Sequence, residues 1–150
     1  MFGVYIHIPF CRTKCPYCDF VSLPVKGDPP DAFVEALCRE IMAFDGPDRA
    51  DTLFFGGGTP SLVPPAGLER VLDAVARRFL VAPDAEITLE ANPDDVTADK
   101  VSAWRGLGFN RLSLGVQSFD DRVLAWLGRR HDAEGARRAQ ATGFDAVQLH

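Results

Sequence analysis

The chain has 150 residues, of which 47% are hydrophobic and 25% charged, and its formal net charge is −5 at pH 7. These values predict one soluble globular domain with its own core. The negative charge argues against a nucleic-acid-binding surface, because phosphate binding depends on an excess of lysine and arginine. No basic leader precedes the first apolar run, and no run approaches the roughly 20 apolar residues of a membrane-spanning helix.

The first predicted element is a short buried strand at residues 4–9, which leads into a cysteine-rich loop. Three of the four cysteines lie there in the pattern C-x3-C-x2-C: Cys11, Cys15 and Cys18. A [4Fe-4S] cluster is usually held by four cysteines, so three would leave one iron open to a small chelating molecule. The alternative is a structural zinc site, which is normally closed by four ligands in paired spacings. Clustered cysteines indicate metal binding in a reducing cytosol, so we expect a cytoplasmic protein.

The first predicted helix starts with Asp28 as N-cap and Pro29 at the first helical position. Its apolar face includes the fourth cysteine, Cys38, at helical spacing with large hydrophobic residues. Because free cysteines are commonly buried, we interpret Cys38 as a small core residue and not as a metal ligand.

Strands and helices then alternate along the chain. Further strands are predicted at residues 51–55, 86–90, 111–116 and 144–149. Between them lie a helical stripe at 68–79, a helix capped by Thr97 and closed by Gly108, one opened by a capping box at Ser118 and ended by Gly128, and one from Asp132 to about Gly143. This alternation predicts an α/β fold with parallel strands.

The polar and glycine-rich segments all follow predicted strands. They are the cysteine loop and residues 56–59, 90–92 and 117–118. Parallel βα architectures place their active sites at the carboxyl ends of strands, so an open or partial (β/α) barrel explains the pattern better than a doubly wound sheet. The chain stops on the fifth predicted strand, whose bare edge would invite pairing, so we expect residues 1–150 to be the N-terminal part of a longer domain.

Several strand-end residues are candidate ligand contacts. The glycines at 56–58 lack the spacing of a dinucleotide fingerprint and have no P-loop lysine, so they serve either a turn or the close approach of a ligand. Glu90 and Gln117 end apolar strands and are costly to bury without a partner. Each could be a rim residue, but their common edge favours contact with a ligand that carries hydroxyls or an ammonium group.

Six motifs in the chain together resemble the radical S-adenosylmethionine (SAM) superfamily. They are YIHIPFC at residues 5–11, the cysteine triplet, GGGTPS at 56–61, EANP at 90–93, RLSLGVQSF at 111–119 and LGRRH at 127–131. They occur in the order of the family, cover nearly the whole chain and are most similar to its oxygen-independent coproporphyrinogen oxidase-like branch. The resemblance implies that residues 1–150 are the N-terminal part of a radical SAM core domain.

The resemblance also implies the cofactors and their ligands. Cys11, Cys15 and Cys18 would hold a [4Fe-4S] cluster, and SAM would chelate its open iron. Glu90 would lie near a ribose hydroxyl or the ammonium group of SAM, and Arg129 near its carboxylate. By matched motif position, the implied SAM contacts are Tyr5, Tyr17, Gly57, Gly58, Thr59, Glu90, Gln117 and Arg129.

Two different functions occur within this branch. The oxidases carry a further cysteine two positions after the third one, whereas Phe20 stands there in this chain. The ending Cys18-Asp19-Phe20 resembles the HemW-type heme chaperones, which bind heme and pass it to acceptor proteins. We therefore expect a heme carrier with heme as cargo, and with a heme-acceptor protein and an electron donor as partners. The alternatives are a radical SAM oxidase acting on coproporphyrinogen and a zinc-stabilised binding module, so enzymatic activity stays open.

No heme ligand can be assigned from the sequence. Histidine is a common axial ligand of heme, and two histidines lie near the implied site, His7 and His131. His7 belongs to the first strand, and His131 follows a predicted helix end. We interpret both as structural histidines that are held by hydrogen bonds.

Overall fold

Strands and helices alternate in the computed structural model, which describes residues 1–144 and 146–149. The strands are β1 (Gly3–Ile8), β2 (Phe10–Cys11), β3 (Leu23–Pro24), β4 (Arg49–Gly57), β5 (Leu80–Ala91), β6 (Arg111–Leu114) and β7 (Ala146–Leu149). The helices are α1 (Asp31–Ala43), α2 (Pro65–Arg78), α3 (Ala98–Gly106), α4 (Asp121–Trp126) and α5 (Ala133–Gln140), with short 3₁₀ turns at Pro60–Leu62 and Pro93–Asp95. Within the described residues, none of the helices is long and apolar enough to cross a membrane.

Five strands form one parallel sheet in the order β1-β4-β5-β6-β7. The sheet is open in the described part of the chain, with β1 at one edge and β7 at the other. The two short strands β2 and β3 pair separately and flank the cysteine loop. The predicted α/β fold with parallel strands in a partial barrel is therefore confirmed, and the β2–β3 pair is an addition to it.

The two faces of the sheet differ, because successive side chains of a strand point to opposite faces. One face carries apolar residues such as Ile8, Phe55 and Leu89, which form a core with residues of α1, α2, α3 and α5. On β5, Leu89 alternates with Thr88 and Glu90, and Glu90 pairs with Ser113 of β6. The second face is therefore polar, and it is available for a ligand.

The predicted start of the first helix is wrong. Helix α1 begins at Asp31, with Pro30 as its N-cap residue and no side-chain cap, so Asp28 does not cap it. The reason is steric, because a residue that precedes proline is disfavoured in the helical region. Pro29 precedes Pro30, so the helix can start only after the second proline.

The capping box predicted at Ser118 is also wrong. Asp120 is the N-cap of α4, and its carboxylate accepts a hydrogen bond from the backbone N–H of Arg122 at 2.8 Å. The hydroxyl oxygen of Ser118 accepts from the backbone N–H of Asp120 at 3.0 Å, so it stabilises the turn before the helix. An aspartate two positions closer to the helix has the role that was assigned to serine.

Other predicted boundaries agree with the structure more closely. Thr97 caps α3 by accepting from the backbone N–H of Lys100 at 3.3 Å, and Asp132 caps α5. Helix α5 ends at Gln140, earlier than predicted, and strand β6 ends at Leu114. The fifth predicted strand is β7, and its predicted residue Asp145 lies outside the described residues, as does His150.

Candidate functional site

A cavity of about 300 Å³ lies at the carboxyl edge of the parallel sheet. Strand ends and the cysteine loop contribute its walls, as the order of the elements predicts. Every predicted site residue except Tyr5 lines this cavity: Cys11, Cys15, Tyr17, Cys18, Gly57, Gly58, Thr59, Glu90, Gln117 and Arg129. Residues that are more than 100 positions apart in the chain are thus brought to one place.

Tyr5 lies beside the cavity but is not among its lining residues. It is exposed on β1, where its ring stacks on that of Phe54 with centroids 6.0 Å apart. Its hydroxyl is 3.1 Å from Nδ1 of His7. Partial burial, followed by the charge of Glu90, raises the pKa of Tyr5.

The cysteine loop leaves the short strand β2 and turns back towards the sheet. Cys11 is the last residue of β2, and a turn brings the backbone N–H of Cys18 within 3.0 Å of the carbonyl oxygen of Cys15. All four cysteines of the chain are free thiols and half-buried.

The donor set of the cavity is compatible with a [4Fe-4S] cluster. Among residues 1–144 and 146–149, no three histidine, cysteine or acidic side chains are arranged around one metal-ion position. A zinc site requires its ligands to converge tetrahedrally on one atom. In a cubane cluster each cysteine binds a different iron, so three separate sulfurs on one cavity wall are compatible with it.

The glycine run packs directly against the strand that leads to Cys11. A Cβ atom on Gly58 would lie 2.5 Å from the carbonyl oxygen of Phe10, and one on Gly57 would lie 2.7 Å from the ring of His7. Gly57 also has a φ of 115°, which favours glycine. The glycines thus serve a turn and a close approach together, and their backbone forms part of the cavity wall.

Glu90 is a half-buried carboxylate at the end of β5. Its Oε2 accepts a hydrogen bond from the backbone N–H of Gly57 at 3.0 Å. Burial raises the pKa of Glu90, and this N–H group and the charge of His7 partly oppose the rise. Hydrogen bonds from a ligand hydroxyl or ammonium group would therefore stabilise the ionised form of Glu90.

Arg129 links several parts of the cavity. Gly128, with a φ of 69°, follows the last turn of α4 and reverses the chain, a common way to end a helix. Nη2 of Arg129 donates to Oδ1 of Asn92 at 2.7 Å and to the carbonyl oxygen of Gly115 at 2.6 Å. Nη1 lies 3.7 Å from Sγ of Cys15 and 3.4 Å from the hydroxyl of Tyr17.

The guanidinium group of this arginine has one donor that a bound anion could use. Its Nε atom is buried and has no hydrogen-bond partner in the described structure. Buried donors are normally paired, and a guanidinium group binds carboxylates well, so a bound carboxylate would satisfy this atom. Burial, followed by the hydrogen bond to Cys15, raises the pKa of Tyr17, and Arg129 opposes the rise.

Several cavity residues were not singled out from the sequence. They are Phe54, Asn92, Ser113 and Gln148. Ser113 and Gln148 are paired with each other across β6 and β7, and Ser113 is paired with Glu90. The signal that could have revealed them is their two-residue alternation with leucines in apolar strands, since it marks the second face of the sheet.

Both histidines near the site are engaged in hydrogen bonds. Nδ1 of His7 contacts the hydroxyl of Tyr5, and its Nε2 lies 3.0 Å from the carbonyl oxygen of Val21. His131 is buried, and its Nε2 lies 3.1 Å from the carbonyl oxygen of Val116. Burial lowers the pKa of His131, so its neutral form is favoured. These contacts agree with the interpretation of both residues as structural histidines.

Comparisons with known proteins place the chain in a family. The model of the radical SAM superfamily matches residues 5–145. The chain is 46% identical over 141 residues to "Heme chaperone HemW" of Escherichia coli (strain K12). This alignment covers 91% of the chain and 37% of that protein. It is 47% identical over 137 residues to "Heme chaperone HemW" of Synechocystis, covering 86% of this chain and 33% of the relative. The chain thus spans well under half the length of these relatives.

Solved structures agree with the open sheet. Coproporphyrinogen III oxidase (HemN) from Escherichia coli, described as a radical SAM enzyme, has a TM-score of 0.83 and 30% identity, with coverage of 98% of this chain and 36% of that one. The structure of anSMEcpe with bound AdoMet shares the fold, with a TM-score of 0.64 at 17% identity over 99% of this chain and 42% of that one. The predicted resemblance is confirmed, and the chain belongs to the radical SAM superfamily, whose members bind a [4Fe-4S] cluster and SAM.

Proposed function

We propose that this chain is the cluster- and SAM-binding part of a HemW-like heme chaperone, which works in the cytoplasm and transfers heme to an acceptor protein. The observation that carries the proposal is the 46% and 47% identity to two proteins named heme chaperone HemW. An electron donor would reduce the cluster, and heme would be the cargo. Both histidines near the site are engaged in hydrogen bonds within the protein.

Cys11, Cys15 and Cys18 would hold the [4Fe-4S] cluster. When bound, the cluster would supply an electron and an open iron that the amino and carboxylate groups of SAM can chelate. Two cavity residues support the negative charge of the sulfurs: Thr59 Oγ1 is 3.5 Å from Sγ of Cys11, and Arg129 Nη1 is 3.7 Å from Sγ of Cys15. Hydrogen bonds to thiolate ligands stabilise the charge that a reduced cluster carries.

The remaining cavity residues would bind SAM. Arg129 would pair with its carboxylate, because the unpartnered Nε supplies a free donor beside two occupied ones. Glu90 would accept a hydrogen bond from a ribose hydroxyl or from the ammonium group. The backbone of Gly57 and Gly58 would let the methionyl part approach, and Tyr17 and Gln117 would complete the wall.

The second candidate is the oxygen-independent oxidase that acts on coproporphyrinogen. The TM-score of 0.83 with coproporphyrinogen III oxidase (HemN) favours it. Phe20 favours the chaperone, because this side chain lines the cavity and is 65% exposed at the position where the oxidases of this branch carry a further cysteine. A phenylalanine cannot donate a proton or bind a metal, so any role of that cysteine in the oxidases is lost here.

The cluster is tested by anaerobic reconstitution of the full-length protein, followed by iron and sulfide analysis. Cys15→Ser is expected to lose the cluster, whereas Cys38→Ser is expected to keep it. Cys38 is the matched control, since its thiol lies on α1 and donates to the carbonyl oxygen of Arg70 at 3.5 Å. Stoichiometric zinc without sulfide would instead establish the zinc-stabilised binding module.

The chaperone and the oxidase are separated by their tetrapyrroles. Reconstituted full-length protein is incubated with SAM, a reductant and coproporphyrinogen, and the products are separated by chromatography. The proposal expects no conversion, together with stable binding of heme and its transfer to an apo heme protein. Formation of protoporphyrinogen would establish the oxidase activity, and failure to bind heme would exclude the chaperone function.

A further inference from the structure

Asn92 has a side chain that the local structure does not use. It is the N-cap residue of the 3₁₀ turn Pro93–Asp95, but its side chain makes no capping hydrogen bond. Asparagine is one of the preferred N-cap residues because its side chain normally accepts such a bond. Here the side chain instead lines the cavity and is bound to two other cavity residues.

The two bonds of Asn92 have a defined direction. Its Oδ1 accepts from Nη2 of Arg129 at 2.7 Å, and its Nδ2 donates to Oγ1 of Thr59 at 3.3 Å. The orientation of the amide is fixed, because guanidinium nitrogens only donate and the amide oxygen must therefore face Arg129. The amide N–H then occupies an acceptor position of the Thr59 hydroxyl, which directs the hydroxyl proton elsewhere.

The network ends on a cysteine sulfur at both sides. The Thr59 hydroxyl donates to Sγ of Cys11 at 3.5 Å, and Nη1 of Arg129 donates to Sγ of Cys15 at 3.7 Å. Asn92 links these two donors, because its amide nitrogen contacts Thr59 and its amide oxygen contacts Arg129. A continuous series of hydrogen bonds thus joins two of the three proposed cluster ligands.

A second, buried contact holds the same two segments together. Oγ of Ser61 donates to Oδ2 of Asp95 at 3.0 Å, and both residues are buried. Ser61 lies two positions after Thr59, and the backbone N–H of Asp95 donates to the carbonyl oxygen of Asn92 at 2.9 Å. The Thr59 segment and the Asn92 segment are therefore held together by the bond between Ser61 and Asp95 as well as by the bond between Asn92 and Thr59.

We propose that Asn92 is a positioning residue that aims Thr59 and Arg129 at the cluster cysteines and thereby raises the reduction potential of the cluster. This inference rests on the proposed function. Hydrogen bonds to the sulfurs of an iron–sulfur cluster are one of the factors that set its potential, because they stabilise the more negative, reduced state. Loss of the link should therefore make the cluster harder to reduce.

The test is a redox titration of the reconstituted full-length protein, followed by electron paramagnetic resonance of the reduced cluster. In Asn92→Ala, the ratio of reduced to oxidised cluster at a fixed potential is expected to fall about tenfold, the size of one charge-assisted hydrogen bond, which corresponds to a shift of about 59 mV for one electron. Asn92→Leu, which keeps the branching of the side chain but has no polar atoms, is expected to shift the potential in the same direction. Asn110→Ala is the control, because Asn110 also bonds to two partners but lies between Ala85 and Ile87.

The outcomes separate this inference from the proposed function. A wild-type protein without iron and sulfide would overturn the cluster itself, whereas a cluster with an unchanged potential in both Asn92 variants would overturn only the role of Asn92. Loss of the cluster from both folded variants, but not from Asn110→Ala, would show a purely structural role and would also overturn it.

A double variant tests whether Asn92 acts through Thr59. Thr59→Val removes the hydroxyl at nearly constant volume and is expected to lower the potential by itself. In this background Asn92→Ala should cause a smaller shift than in the wild type, because only the path through Arg129 is left. Fully additive shifts would contradict the network.

Discussion

The close packing between Gly58 and the segment that carries Cys11 leads to a specific prediction. A Cβ atom at residue 58 would lie 2.5 Å from the carbonyl oxygen of Phe10 and 2.8 Å from its carbonyl carbon and its nitrogen. These are backbone atoms and cannot rotate away, so Gly58→Ala must push β2 and the glycine loop apart. This movement would lengthen the hydrogen bond from the backbone N–H of Gly58 to the carbonyl oxygen of Ile8, which is 2.9 Å long.

The expected loss of stability follows from these two effects. Overpacking costs about 1–3 kcal/mol, and a weakened backbone hydrogen bond adds about 0.5–1.5 kcal/mol. We therefore expect the free energy of unfolding of Gly58→Ala to fall by about 1.5–4.5 kcal/mol, measured by urea unfolding of the full-length protein. Because Phe10 adjoins Cys11, the iron content after reconstitution should fall as well.

Gly106→Ala is the matched control for this substitution. Gly106 is the last residue of α3, and a Cβ atom there would meet no atom within 4 Å. Alanine is favoured over glycine in a helix by about 0.5–1 kcal/mol, so this variant should be slightly more stable than the wild type. If Gly58→Ala unfolds at the wild-type urea concentration and takes up the same amount of iron, the reasoning from backbone contact is refuted.

Three further predictions concern the core, a buried acid and the proposed SAM site. Leu89→Ala should lower the free energy of unfolding in urea by about 2–5 kcal/mol because Leu89 is fully buried, whereas Leu80→Ala on the same strand, 76% exposed, should change it by less than about 0.5 kcal/mol. Burial holds the pKa of Asp95 above its ordinary value of 3.8, so the stability that its proton confers is complete below that pH and is lost as the pH rises through the native pKa. Asp95→Asn cannot lose a proton there, so its free energy of unfolding relative to that of the wild type should increase as the pH rises from 3.8 through the native pKa. Urea unfolding at stepped pH measures this difference. A difference that stays constant with pH would contradict the raised pKa of Asp95. Arg129→Lys should weaken SAM binding to the reconstituted protein at least about tenfold by equilibrium dialysis, because lysine has no planar fork to bind Asn92, Gly115 and a carboxylate together. Equal affinity of Arg129→Lys and wild type would refute that role.

Local patterns in the sequence predicted the elements well where the responsible interactions are themselves local. Thr97 and Asp132 cap the helices that they were predicted to cap, because an N-cap bond spans only three residues. Two of the predicted helix starts failed for equally local reasons that compete with capping preference. Pro30 excludes Pro29 from the helix, and Asp120 lies closer to the first helical turn than Ser118.

The short strands β2 and β3 could not be predicted in this way. Each has two residues, which is too few to show any periodicity, and their pairing joins Phe10 to Leu23 across the cysteine loop. Gln117 is a similar case, because among the described residues it is the one non-glycine residue with a positive φ, at 66°. Backbone strain of this kind is imposed by the surroundings and leaves no mark in residue type.

The chemical groups that this protein can offer are already visible in its sequence: three closely spaced thiols, a glycine run, and polar residues that follow apolar strands. Its motifs also determined the family, and the family model and the relatives agree. Which of these groups come into contact depends on the fold. Arg129 reaches Cys15 across 114 positions of the chain, and Asn92 joins Arg129 to Thr59, because parallel strands bring their carboxyl ends to one edge of the sheet. Contacts at such separations depend on strand order and register, which the spacing of residues along the chain does not encode.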